Sequence, residues 1–491
     1  MQRQGSQGGA HPTRVAVGAA PEWEIFGALG LYSLLLVVTA YTGFTMQIPW
    51  GYYQVLERAE LIARLGESIW YLHSQPPLLN LVLGLTLKTA RALGLPETVP
   101  LLWLHGVAGA AAVYGFAKVS QLLVTRVSLR RLAIVLFVIH PVLYTTLYHY
   151  FYSFHELVIF SLLPIAVYSF ARRPNTAAYA WVCVGVVLLT ATHSLFHFAF
   201  GIAILVGLPL VCRSSTKAGA AVFRGARLAW MLGGIALLLA WPLKNGLIFG
   251  SYHASSWAGY NLALELPVDI QKLPPRNWSV PDKFSEIPAL TKRWKSHAAV
   301  NWNHYSIIQH SKNQGDLARE AILKNPAALA RKATLNYWNF TRFSGRNPYT
   351  GTFGISGARF PDYLQPWMAV YEAVVFQDPR SREDVAHRAY RLPLRQSWAL
   401  SGFSFVFPLV MVGAAFAIGR SWKTDPARSR TALFLFFCVA WVFAVALLVD
   451  GSEANRIRFS TEPYLFLLAF FALDLLARRW RGRPTSPDTG A

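Results

Sequence analysis

The side chains hardest to explain as packing gather in a few short stretches. They are His73 and Gln75 in Trp70-Tyr-Leu-His-Ser-Gln-Pro-Pro-Leu78, the run His149 to Glu156 with His155 beside Glu156, the pair His193 and His197, Asn261, and the string Gly451-Ser-Glu-Ala-Asn-Arg-Ile-Arg-Phe-Ser-Thr-Glu-Pro463. Carboxylates such as Glu57, Glu60 and Glu156 can take a proton from a hydroxyl, and imidazoles can steady a developing charge. Arg456 and Arg458 alternate, so an extended turn aims both forks at one pocket, where two parallel N–H donors meet two phosphate oxygens. Glu453, Asn455 and Asn261 would add polar contacts to such a ligand.

Each group also has a plainer reading. Glu57 and Glu60 can solvate one face of a surface helix, and His73 and Gln75 can cap backbone groups left open by Pro76-Pro77. The tyrosines between 148 and 152 suit an aromatic belt. His193 and His197, one helical turn apart, would either chelate a metal or simply pack. Arg456 and Arg458 can close a salt-bridged turn with Glu453 and Glu462.

The elements that must carry these residues are apolar helices. Runs at 25–46, 228–243, 398–418 and 433–449 are long enough, at roughly 20 residues, to cross a hydrocarbon core. The formal net charge of +22 would suit a nucleic-acid partner, yet many of the arginines form short clusters at run ends. Retention of those clusters in the cytoplasm accounts for them, so no nucleic acid is expected. Cys183, Cys212 and Cys438 lie in or beside apolar runs without metal-type spacing.

Placing the clusters near 126–131, 172–173, 213–227, 420–430 and 478–483 on one side predicts spans at 25–46, 101–124, 132–150, 155–171, 178–194, 196–212, 228–249, 398–418, 431–449 and 462–477. The fold class is therefore an all-α polytopic membrane protein with about ten spans, or eleven if 78–95 also crosses. The alternative for 78–95 is a re-entrant or interfacial segment. Residues 1–24 and 480–491 read as cytoplasmic tails, 25–249 as an N-terminal membrane module, 250–397 as a large extracytoplasmic loop, and 398–479 as the C-terminal helices. This is a multi-pass protein of the inner or plasma membrane with its N-terminus inside. The first outside loop, 47–77, predicts an interfacial helix over 56–70 that ends before Pro76-Pro77. In the large loop a helical piece at 314–340 alternates apolar and basic residues, which suits either a helix lying on lipid headgroups or one packed on the spans.

The first loop closing on Gln75-Pro-Pro-Leu78, the basic turn before 132, Glu156 at the outer end of the following span and Thr192-His193 at the next rim resemble the GT-C type of polytopic membrane glycosyltransferase. The likeness is to the protein mannosyltransferase and aminoarabinose transferase relatives. The Trp70 to Leu78 string and the late Glu-x-Asn-Arg-x-Arg-Phe string resemble a bacterial branch. The resemblance implies transfer of a sugar from a polyprenyl-phosphate donor to an extracytoplasmic acceptor: lipid, glycan or protein. It implies a catalytic carboxylate in the first loop, and with no aspartate between Gln47 and Pro77 that role falls to Glu57 or Glu60, with Glu156 as a further acid. His73, Gln75, His155, His193, His197, Asn261, Glu453, Asn455, Arg456 and Arg458 become the substrate- and phosphate-binding set. No nucleotide cofactor is expected, and a divalent metal is left open. Two other readings stand: a transporter or flippase of an anionic lipid or polymer, and a non-catalytic membrane protein of envelope assembly.

Overall fold

The computed structural model describes residues 22–52, 54–213, 224–264, 266–268, 272–341, 365–376, 402–448 and 457–481. Among them the chain is helical, with isolated β-bridges and no strand. Helices α1 (Trp23–Tyr41), α5 (Thr98–Leu123), α8 (Tyr152–Arg172), α11 (Ala226–Phe249), α17 (Gly402–Ser421) and α18 (Pro426–Leu448) are the six described helices long and apolar enough to cross a membrane. Helices α6 (Val127–Val138) and α7 (Pro141–Leu147), bent by 40° at their break, make a seventh if the pair is one span. The bend has a local cause: Pro141 supplies no N–H, and the His140 ring caps α7 by accepting the Val142 N–H at 3.2 Å. Two shorter apolar helices, α9 (Thr176–Thr192) and α10 (Phe198–Arg213), and the polar-ended α19 (Glu462–Arg481) complete the bundle. The tally of ten crossings expected above is thus not reached on length and composition.

In the first loop the expected helix over 56–70 is two short pieces, α2 (Arg58–Ala63) and α3 (Leu65–Trp70), parted at Arg64. Pro77 then starts α4 (Leu78–Ala92), which at 15 residues reaches only about 22 Å and is too short for a simple crossing. It buries Leu79, Leu83 and Leu87 under α2 and α3. In the large loop α12 (Ala258–Ala263) lies on α14 (Ser306–Lys324) so closely that any side chain at Gly259 would collide with the Ser311 carbonyl. A short turn, α13 (Pro288–Thr291), lies between them in the chain.

The expected helix over 314–340 is interrupted by Asn325-Pro326, giving α14 and α15 (Pro326–Phe340). Of the two placements open for it, α15 takes the packed one. Asn336 donates to the Leu447 carbonyl at 3.1 Å, Tyr337 to that of Ser404 at 2.5 Å, and buried Lys332 to that of Asn261 at 2.9 Å. A further short helix, α16 (Gln365–Tyr371), rests against α7, where Trp367 donates to the Ile139 carbonyl at 2.9 Å.

Interactions sort the bundle into two ends. At one, Arg130 grips Glu24 at 2.7 and 2.9 Å, and Arg428 reaches Asp474 at 2.6 Å. Asp474 also accepts the Thr125 and Arg126 N–H groups at 3.1 Å each. Arg130 and Arg428 are therefore interior struts. At the other end Gln47 bonds the backbone of Tyr148 and Tyr150, Trp441 bonds Leu195, and Trp241 bonds Ala254. Between the ends, α5 meets α8 so tightly that Gly115 has no room for a Cβ beside the Ser161 carbonyl.

Candidate functional site

Helix α8 begins at Tyr152, just after the strap 148–150 that Gln47 holds, and so its first turns face the loop end. Glu156 has no exposed surface. Helix α9 stops at Thr192, the extended backbone of His193 turns its ring inward, and its Nδ1 comes within 2.8 Å of Oε1 of Glu156. The approach suits an ion pair but is poorly angled for a hydrogen bond: neither Glu156 oxygen nor His193 Nδ1 has a hydrogen-bond partner. The Tyr152 ring stacks on His193 at 3.8 Å and holds it in place.

Two more imidazoles lie close by. His105 on α5 and His155 each hold a backbone carbonyl with Nδ1, of Leu147 at 2.7 Å and of Phe151 at 3.1 Å. Those bonds put the proton on Nδ1 and leave each Nε2 a buried acceptor without a partner. Their rings meet edge to face at 5.3 Å. Most buried polar atoms in proteins are satisfied, so this concentration of unsatisfied ones makes the start of α8 the candidate site.

The first-loop residues are occupied elsewhere. Glu57 accepts from Ser296 Oγ at 2.6 Å and from Ser296 N at 3.1 Å. Burial alone would raise its carboxyl, but those bonds and the charges of Lys295 and His297 bring it below the usual range. Glu60 is buried 3.5 Å from Lys292, and burial raises its carboxyl. Lys295, buried beneath both, donates to the carbonyls of Tyr52 and Val55 and is pulled down to about 8 by burial, a shift the two glutamates partly offset. These four groups latch the first loop to the large loop.

His73 does the same. Nδ1 meets the Ser256 hydroxyl and Nε2 the Asn303 carbonyl, both at 2.9 Å, so the ring is neutral and fully engaged. Burial holds it down at about 3, against 6.5 in the free side chain. The unfolded chain therefore binds a proton below pH 6.5 that the folded ring refuses until about pH 3. His73 stabilises fully above that window and loses its contribution as pH falls through it. The stability advantage of wild type over His73→Gln is expected to shrink by about 1.4 kcal/mol per pH unit below that point, read from paired melting curves at pH 7.5 and 5.5. A constant gap between the two proteins would contradict the neutral, fully bonded ring. Gln75 is buried in the same turn.

Arg458 forms a third group. Its Nε and Nη2 bond Oε2 of Glu462 at 3.0 and 2.9 Å, and Nη1 bonds the Phe340 carbonyl. Oε1 of Glu462 takes the proton of His140 Nε2 at 2.7 Å. Of the string that carried the phosphate reading, Glu453, Asn455 and Arg456 lie outside the described residues, and Arg458 is committed to its carboxylate. His197, half-buried, caps α10 by accepting the Ala199 N–H at 3.3 Å, and Asn261 offers its carbonyl to Lys332. So Glu156, His155 and His193 come together, while Glu57 and Glu60, His73, and Arg458 each belong to separate clusters.

One buried lysine was not among the residues singled out from sequence. Lys244 of α11 is buried, donates to the carbonyls of Trp70 at 3.1 Å and Leu72 at 2.6 Å, and lies 3.6 Å over the Trp241 ring. It has no carboxylate partner among the described residues. With Ile69, Trp70, Val187, Thr190 and Leu237 it lines an apolar cavity of about 310 Å³ between α3, α9 and α11. A lone lysine late in an apolar run is the signal that would have found it. No family model, no curated protein and no solved structure matches this chain. Among the described residues no group of three His, Cys, Asp or Glu is arranged to hold a metal ion.

Proposed function

We propose that this protein is a membrane-embedded transferase of the GT-C type, moving a sugar from a polyprenyl-phosphate carrier to an acceptor at the loop end. One observation carries the reading: an apolar cavity ending at an unpaired buried lysine adjoins the helix end that holds an unsatisfied acid–imidazole pair. Thr190 lines the cavity, and His193 follows it by three residues. At 1.5 Å per residue, Glu156 stands about 24 Å from Arg172, His193 about 26 Å from Thr176 and Lys244 about 27 Å from Ala226. All three thus lie near one rim of a core roughly 30 Å thick. In this proposal that rim is extracytoplasmic, the arginine-rich end and the N-terminus are cytoplasmic, and α9, α10 and α19 cross with the longer helices.

The chemistry follows from the groups. The prenyl chain lies in the cavity and Lys244 meets the phosphate. Glu156 takes the proton of an acceptor hydroxyl, whose oxygen bonds the anomeric carbon. The carbon–oxygen bond to phosphate breaks, and its electron pair leaves on the polyprenyl phosphate beside Lys244. His193, 2.8 Å from Glu156, holds that carboxyl in position.

The test is binding of a polyprenyl monophosphate, with the uncharged polyprenol as reference, to purified full-length protein by native mass spectrometry. Lys244→Gln is expected to weaken the monophosphate about 10- to 100-fold and leave the polyprenol unchanged, and Lys244→Arg to restore most of the difference. Equal binding of both lipids by wild type would overturn the reading.

A carrier of an anionic lipid is favoured by a different observation. Glu462, with Arg458 and His140, lies about 18 Å along α19 from Asp474, an ionisable cluster near mid-depth of the kind that carriers use. Movement of labelled lipid across sealed vesicles without chemical change would decide for it.

A further inference from the structure

At the arginine-rich end the deeply buried arginines Arg130 and Arg428 have carboxylates, Glu24 and Asp474. Arg430 does not. It is 3% exposed, its one hydrogen bond is a long one of 3.4 Å from Nη1 to the Ala171 carbonyl, and its buried Nε has no partner. Ala171 is in the last turn of α8, and the next two residues are the exposed Arg172 and Arg173, neither of which has an acidic partner among the described residues. The acid facing this corner, Asp425, accepts the Arg428 N–H at 3.3 Å. Three guanidiniums thus surround one helix end with less than matching negative charge.

Tyr168, Ser169, Arg172, Arg173 and Asn175 line a cavity of about 290 Å³ there. Leu162, Ile165, Ser169 and Arg172 follow one another at helical spacing along α8, and Leu162, Ser169 and Arg172 are exposed while Ile165 is half-buried. An outward apolar stripe therefore leads directly to the basic cavity.

We infer that this corner binds the phosphate headgroup of an anionic phospholipid from the adjoining leaflet, with an acyl chain along Leu162 and Ile165. Arg172 and Arg173, which line the cavity, meet the phosphate oxygens. A soluble phosphate would use the guanidiniums and leave the stripe without a role. The site lies at the opposite end of α8 from Glu156 and does not depend on the transferase reading.

The experiment reconstitutes full-length protein in nanodiscs of equal phosphatidylglycerol and phosphatidylcholine and counts retained lipids by native mass spectrometry. Wild type is expected to retain phosphatidylglycerol preferentially. Arg172→Ala/Arg173→Ala, which changes only exposed side chains, is expected to lose about 30-fold of that preference. Arg420→Ala/Lys423→Ala removes two exposed cations from the same end and is expected to change nothing. No preference in wild type, or an equal loss in both double variants, would overturn the inference. Release of the retained lipid by millimolar glycerol phosphate would assign the site to free anions and overturn it as well.

Discussion

Glu156→Gln is expected to lower transfer from the lipid-linked donor by about 10²- to 10⁴-fold, the contribution of a positioned general base, while leaving polyprenyl phosphate binding intact. Glutamine keeps the size and shape of the side chain and removes only its capacity to take a proton. Turnover is measured as release of free polyprenyl phosphate from the lipid-linked sugars of host membranes. A second readout separates a functional acid from a structural one. Both Glu156 oxygens are buried without hydrogen bonds, so the neutral amide is expected to leave the apparent melting temperature unchanged or raise it. Glu57→Gln and Glu60→Gln are expected to keep transfer within a few-fold, because those carboxylates serve Ser296 and Lys292 across the loop latch. Full activity in Glu156→Gln, or loss of activity only in the first-loop variants, would return the base to Glu57 or Glu60.

What could be read from the chain depended on how local its cause was. The long apolar runs and the break at Pro76-Pro77 follow from composition and from neighbouring residues, and these agree with the helices observed. Glu156 and His193 stood out separately, because an acid or imidazole at a span end needs water or a partner. Their pairing was not visible, since it depends on where α9 stops. Glu57 and Glu60 looked solvated because their partners, Ser296 and Lys292, are more than 200 residues away. His140 was hidden inside an expected span that its own Pro141 breaks. Lys244 was overlooked for a related reason: an unpaired lysine in an apolar helix makes sense only once the carbonyls of Trp70 and Leu72 and the Trp241 ring are seen around it.

Arg458→Ala is expected to cost about 3–5 kcal/mol, because it removes the guanidinium from the buried carboxylate of Glu462 and leaves it the weaker bond from His140. Glu462→Ala should cost a similar amount by taking the carboxylate away from a buried guanidinium that also touches the Phe340 carbonyl and the Phe340 and Phe403 rings. Removing both charges at once is a different matter. Arg458→Met/Glu462→Leu replaces the pair with apolar groups of similar bulk and is expected to recover most of the loss, since a buried ion pair gains little over good packing. The cycle of four proteins, compared by thermal unfolding in one detergent, should therefore show a coupling of several kcal/mol. Two small and additive losses would mean that the pair is hydrated rather than buried. The same double variant discriminates between functions. A transferase whose chemistry occurs at Glu156 should tolerate it once folded, whereas a carrier that moves charge through Glu462 should lose transport completely even with its stability restored.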